Sequence, residues 1–441
     1  MKWIGRRPLP SFMTAMQRTG SCSAIFYGLA FYGLAFSLAA PQPVVAFEYQ
    51  AGDHQLGVGF RPRVATVETD DNDARAASIL VRLRASSEWS EQFSTLLELD
   101  YVELGWENEF SNGEHFNGKP VIPDTGGFDL NQALLMYAPS NSLQLSIGRE
   151  AVNLGNERFV GSNSFWQNEQ TLDIAGFQYS FGAASYFSYR YLDNANRIFG
   201  DDAGHSLSPS DSNFEQNQGQ RPARFLGDHD HNSHLLFAEF KEWDYSLAQA
   251  YFYDMDIKDA PAASNRTLGL RYEFNGRLGN KRALAHAEFA LQDQPEVAKG
   301  ELIEYYNVGA GLGYRSHQVL LNYEYLGEND GVSFTTPLAS LHDSNGWVDK
   351  FLITPNSGLS DVSINYIWRY SPFKIDARYH LFKTAGNSSR YGEELDIDLI
   401  YKTGKKSRFL IRYADFDASD STYNNTYHDE RRVFLMFSHD F

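Results

Sequence analysis

A closed, membrane-spanning antiparallel β-barrel of about eighteen strands is the all-β fold class that this chain predicts. Three observations carry it. Apolar residues recur at every second position through most of the chain. The links between these segments alternate between short and long. The last segment is an amphipathic strand that stops on Phe441. Composition agrees: 15% of the residues are aromatic, yet the mean hydropathy is -0.43. A bundle of membrane helices would be far more apolar. A barrel alternates lipid-facing and lumen-facing residues, so its average resembles that of a soluble protein, and its aromatic residues suit girdles at the two interfaces.

Taken in order, the N-terminus comes first. Lys2, Arg6, Arg7 and Arg18 make it basic, Ala24 to Leu38 is apolar apart from Ser37, and Pro41 and Pro43 break the run. Val44-Val45-Ala46 supplies the small residues that a signal peptidase reads. Residues 1–46 are therefore expected to be a secretory signal cut before Phe47, with 47–441 as the barrel; the apolar run of ~15 residues is short for a span. The one cysteine, Cys22, falls in that segment, so the mature chain is expected to hold neither disulfides nor thiolate metal sites. Removing four cations and no acid makes the formal charge more negative than -18. A strongly acidic exported chain is a poor binder of nucleic acid, and none is expected as a partner.

The strands follow. The first is expected near Gly57–Val67, too close to Phe47 to leave room for a plug domain. Ile79, Val81, Leu83 and Ala85 share one face, as do Leu268, Leu270, Tyr272 and Phe274. Toward the C-terminus the pattern sharpens: Ile364, Tyr366, Trp368, Tyr370; Phe373, Ile375, Ala377, Tyr379, Leu381; Leu395, Ile397, Leu399, Tyr401; Phe409, Ile411, Tyr413; and Val433, Leu435, Phe437, His439, Phe441. Each run has the length of roughly ten residues that a tilted strand needs to cross a bilayer.

The links form a second, independent pattern. Short ones fall at Ser86–Glu91, Pro139–Ser142, Gly182–Ala184, Glu242–Asp244, Asn275–Asn280, Arg315–His317, Ser371–Pro372 and Thr403–Ser407. Long ones lie between them, notably Gly105–Gly127, Glu150–Thr171, Asp193–His231 and Gly327–Ser357. Outer-membrane barrels have short periplasmic turns and long external loops, and an even strand count places both termini in the periplasm. In hydrocarbon every backbone polar group needs a partner, so the sheet must close. At about eighteen strands the lumen is too wide for wall side chains to fill, so the long loops are expected to fold inward.

Opposite the apolar faces the pattern turns charged. Arg82, Arg84, Arg190, Arg271, Arg369, Arg378, Arg412 and Arg432 all follow this rule, and the acids Glu98, Asp100, Glu239, Glu273, Glu288, Glu324, Asp376, Asp396 and Asp398 share the lumen. Two readings stand side by side. The arginines line a selective path for a charged solute, since guanidinium binds carboxylate bidentately. Alternatively, arginine–carboxylate pairs simply brace a wide barrel. Two weaker clusters carry other chemistry. His229, His231 and His234 beside Asp228 and Asp230 have metal-ligand character, and Asp415 to Asp420 has calcium-like oxygen spacing without the glycine and bidentate glutamate of a true loop. Neither is assigned a metal, and no cofactor is expected. No phosphate loop or nucleophile motif stands out, so no enzyme is expected; a hydrolase at the barrel rim, working through His231 or His234, is the alternative.

The C-terminal strand ending on Phe441 resembles the terminal strand of bacterial outer-membrane barrels. Two segments resemble a particular family. One is Gly148-Arg149, with Gly155-Asn156-Glu157-Arg158-Phe159-Val160-Gly161 and Trp166 to Asp173 following. The other is Asn345-Gly346-Trp347-Val348-Asp349-Lys350-Phe351, flanked by Pro337-Leu338, His342-Asp343, Pro355 and Gly358 to Asp361. Both are similar to the alginate export porin family. That resemblance implies an eighteen-stranded monomeric channel whose arginine-rich constriction passes an anionic polysaccharide. It also implies that Arg149, Arg158, Asp173, Asp349 and Lys350 are constriction or loop-anchoring residues. Expected partners are outer-membrane lipid and lipopolysaccharide, an anionic saccharide or small charged solute, and the barrel-assembly machinery through Phe441. A general diffusion porin without sugar specificity is the alternative.

Overall fold

The structure is a computed structural model that describes residues 48–298, 300–386, 389–419 and 427–439. The expected signal segment and Phe441 lie outside the described residues. A short strand, β1 (Glu48–Ala51), folds back on β2 (His54–Thr69). Then follow β3 (Asp73–Glu88), β4 (Phe93–Gly105), β5 (Gly127–Ser140), β6 (Leu143–Glu150), β7 (Thr171–Phe181), β8 (Ser185–Asn196), β9 (Asp228–Phe240), β10 (Ser246–Met255), β11 (Asn265–Leu278), β12 (Lys281–Asp293), β13 (Leu302–Tyr314) and β14 (His317–Leu326). A separate small hairpin, β15 (Glu328–Asn329) and β16 (Val332–Ser333), sits in the next connection. The sheet resumes with β17 (Leu359–Tyr370), β18 (Phe373–Lys383), β19 (Arg390–Lys402), β20 (Ser407–Ala418) and β21 (Glu430–His439).

Leaving aside β1, β15 and β16, 18 antiparallel strands form one ring. Closure is made by β2, which pairs with β3 on one side and with β21 on the other. No edge is left for an unpaired backbone group, which is what hydrocarbon demands. Connections alternate as the sequence predicts. One end carries tight turns such as 182–184, 315–316 and 371–372; the other carries 106–126, 151–170, 197–227 and 327–358. Both ends of the ring's chain, His54 and His439, lie at the short-turn end.

Period-two burial follows the same logic. Val81, Leu83, Leu97, Leu99, Leu268, Leu270, Ile364, Ile411 and Leu435 are exposed on the outer face. Trp89, Phe93, Trp243, Tyr245, Tyr314, Tyr370, Phe373 and Tyr401 are exposed beside the short turns, where a girdle belongs. The inner face departs from the expectation of a uniformly polar lining. Leu235, Phe237, Tyr251, Tyr253, Tyr305, Phe382, Phe416 and Phe434 are buried inside the ring. They are covered by residues of the long connections: Phe159 lies 5.0 Å from the Tyr251 ring and 5.2 Å from the Tyr305 ring, and Phe351 lies 4.5 Å from the Phe382 ring. Each such aromatic removed from water contributes about 1.5–3 kcal/mol, so the core of this barrel is the packing of its own loops into its lumen.

Candidate functional site

The wall supplies the first layer of charge. Because neighbouring strands are antiparallel and in register, inward residues of opposite charge face each other across the ladder. Arg82 donates to Asp100 through two bonds of 2.8 and 2.6 Å and lies 2.7 Å from Glu169. Arg149 pairs in register with Asp173 through bonds of 2.8 and 3.2 Å. Arg271 reaches Glu288 at 3.0 Å and Glu273 at 3.3 Å, and Arg412 holds Asp398 through two bonds of 2.8 Å. Arg190 lies 3.6 Å from Glu150, Arg378 lies 3.5 Å from Asp376, and Arg84 stands opposite Glu98 in register. Arg369 is exposed at the short-turn rim and joins none of these groups. The bracing reading of the sequence therefore describes most of these arginines as they stand.

Two connections cross the lumen. The segment 151–170 leaves β6 and reaches the far wall, where Arg158, 5% exposed, meets β14. Its guanidinium donates to Glu324 at 2.7 Å, Thr336 Oγ1 at 3.0 Å and Asn345 Oδ1 at 2.9 Å. Further along, the segment is gripped by β2. Arg61 donates to Gln167 Oε1 at 3.0 Å and to the Ser164 carbonyl at 2.8 Å; Arg63, held by Asp124, donates to the Phe165 carbonyl at 2.8 Å. The segment 327–358 meets it in the middle. Val160 and Leu338 form a parallel bridge, Gly161 N–H donates to the Leu338 carbonyl at 2.9 Å, and Ser340 N–H donates to the Glu157 carbonyl at 3.0 Å.

This geometry explains the two motif-like runs. A Cβ at Gly161 would collide with Ser340 Oγ and Glu157, so the loops approach this closely only at a glycine. Gly346 has φ +88° and faces the Glu394 carboxylate, whose oxygen accepts the Val348 N–H at 2.7 Å. Trp347 is thereby laid flat inside the ring, with the Arg412 guanidinium 3.7 Å from its centroid and that of Arg378 4.9 Å away. Arg412 is stacked on its other side by Phe165 at 4.4 Å.

Asp349 and Lys350 join the same centre. Arg412 can only donate, so its 2.8 Å contact makes His342 Nε2 the acceptor and leaves Nδ1–H to bond Asp349 Oδ1 at 2.8 Å. Arg432 donates to Asp349 at 2.7 Å and to Glu430 at 2.7 Å, and Lys350 donates to Glu430 at 2.6 Å. Of the residues singled out from sequence, the structure gathers Arg378, Arg412, Asp349 and Lys350 here, sets Arg158 across the lumen, and leaves the others spaced around the wall. Sequence reasoning passed over Arg61, Arg63, His342 and Phe165. The signal for the first two was available: Arg61-Pro62-Arg63 places two cations on one inward face of the first strand.

Above the crossing lies a cavity of about 900 Å³ lined by Trp166, Arg197, Phe199, Arg224, Phe225, Pro261, Lys350 and Arg432, among others. The strands bordering it extend further than the sequence predicts, so His229, His231 and His234 belong to β9. His229 and His231 point inward with ring centroids 6.4 Å apart, and His231 Nδ1 lies 2.9 Å from Ser233 Oγ; His234 bonds Tyr189 instead. Among the described residues no three or more His, Cys, Asp or Glu side chains are placed to hold a metal ion.

No family model matches the chain, and no curated protein matches it. Solved structures do. The chain is similar to OccAB4 of Acinetobacter baumannii, with a TM-score of 0.67 at 10% identity over 88% of this chain and 98% of that one. It is similar to OccAB3 of the same organism, with a TM-score of 0.64 at 14% identity over 89% and 100%. It is also similar to OccK2 (OpdF) of Pseudomonas aeruginosa in complex with glucuronate, with a TM-score of 0.61 at 14% identity over 88% and 96%. These likenesses establish the fold as that of an 18-stranded outer-membrane porin barrel.

Proposed function

We propose that this chain is a passive outer-membrane channel for small anionic solutes of sugar-acid size. Short turns face the periplasm, and the leader is removed before Phe47. The observation that carries this reading is the crossing of two connections inside an arginine-bearing lumen. A closed ring supplies the path, and the ring of Arg82, Arg149, Arg190, Arg271, Arg378 and Arg412 supplies guanidinium for carboxylate along it. The structural likeness to channels, one of them bound to glucuronate, supports a solute of this class. The packed crossing of Phe159, Val160, Leu338 and Trp347 favours a small solute over the anionic polysaccharide implied by the sequence resemblance. The channel acts as a monomer in lipid and lipopolysaccharide and carries no cofactor.

Planar-bilayer recording under a KCl gradient tests the proposal. The expected result is an anion-preferring reversal potential and a current reduced by glucuronate. Indifference to glucuronate together with cation preference would leave a general diffusion porin.

A further inference from the structure

The cavity above the crossing differs in its charge from the lumen below. Arg82, Arg149, Arg158, Arg271, Arg412 and Arg432 each hold a carboxylate within 3.0 Å. Arg197, at the end of β8, does not. Its Nη1 reaches the carbonyls of Ala223 and Arg224 at 3.5 Å and His229 Nε2 at 3.3 Å, all long contacts. Nothing among the described residues bonds its Nε or Nη2. That edge is the fork that meets the two oxygens of a carboxylate. Burial alone pulls the Arg197 guanidinium down to about 10, the mark of a cation without a counter-charge. Arg224 is exposed beside it with its guanidinium 4.8 Å from the Phe225 ring and no carboxylate partner among the described residues.

The rest of the cavity is not polar. Phe199 and Phe225 pack edge to face at 5.4 Å, and Ile198, Pro261 and Leu352 line the same space. A sugar acid would leave its hydroxyls facing these carbons without partners, at a cost for each. An anion with an apolar body would cover them. We infer that this cavity is a capture site for an aromatic or alicyclic carboxylate, its charged end on the free edge of Arg197 and on Arg224, its ring on Phe199 and Phe225. The inference rests on the channel reading and narrows its substrate class. Such a site also answers a difficulty in the charge balance. The chain is strongly acidic, and a local excess of cation at the mouth draws an anion that the overall charge repels.

The test is equilibrium binding to the detergent-solubilised protein purified from membranes, read by tryptophan fluorescence, since Trp166 lines the cavity. Benzoate is the probe; benzyl alcohol lacks the charge and glucuronate lacks the apolar body. Benzoate is expected to bind at least about tenfold more tightly than either. Arg197→Gln is expected to weaken it about tenfold, Arg197→Lys to recover part of the loss because charge returns without the fork, and Arg197→Gln with Arg224→Gln to abolish it. Wild-type affinity in the double variant, or equal affinity for benzoate and glucuronate, overturns the inference. Conductance of the same preparations separates the two claims. Anion conduction with benzoate binding indifferent to Arg197 sinks the capture site alone, whereas absent conduction with intact Arg197-dependent binding sinks the channel and leaves the site standing.

Discussion

Removing the guanidinium of Arg158 is expected to loosen the crossing and raise the conductance. This side chain is the tie between 151–170 and the opposite wall, and Arg158→Ala deletes its bonds to Glu324, Thr336 and Asn345 together. Breaking a buried ion pair by removing one partner costs about 3–5 kcal/mol. The lower end applies here, because Glu324 keeps the Tyr305 hydroxyl at 2.9 Å and the Asn345 amide at 2.6 Å. A loss of about 3 kcal/mol shifts the balance between docked and released segment by about a hundredfold. Single-channel recording of Arg158→Ala is expected to show a larger mean conductance with frequent steps between levels, in protein whose unheated gel mobility still reports a folded barrel. Arg158→Met with Glu324→Leu fills the same space without charge and is expected to restore a quiet, wild-type current. A quiet wild-type trace from Arg158→Ala alone would refute the reasoning, since it would mean that the tie holds nothing in place.

Four further outcomes are expected. Asp349→Asn removes the carboxylate shared by Arg432 and His342, and on the order of a twofold rise in the anion-to-cation permeability ratio should follow; an unmoved reversal potential counts against a role for this centre in the path. Arg149→Ala is expected to lower that ratio while Arg369→Ala leaves it unchanged, because only Arg149 is paired at the lumen wall; equal effects would contradict the placement. Gly161→Val should phenocopy Arg158→Ala by pressing against Ser340, and a silent substitution there would deny the close approach of the two loops. Arg197 is a cation whose folded value lies below its unfolded one, so it adds no stability at neutral pH, and the penalty of charging it is relieved as pH rises through about 10. Benzoate binding should therefore fade between about pH 8 and about pH 11, and an affinity constant across that window would show that Arg197 is not the anchor.

The wall of this protein was legible in its residues. Side-chain direction alternates with period two whatever the neighbours do, so Val81 against Arg82 or Leu435 against Phe434 already separates two faces. Link lengths alone separated the two ends of the ring. Even the inward position of arginines such as Arg271 and Arg412 follows from parity. What parity cannot decide is which inward residues meet water and which meet another segment. Leu235, Phe237 and Phe434 read as ordinary apolar positions on the wrong face until the connections that cover them are placed. Arg412 read as one more wall charge, yet it lies between Trp347 and Phe165, residues brought in by two loops far apart in the chain. Those contacts depend on where a long connection lands across a lumen, and a landing point is set by the summed packing of many residues. Sequence by itself determined a closed barrel with charged side chains inside; the tertiary structure alone decided that two loops fill it, and which arginine is left without a carboxylate.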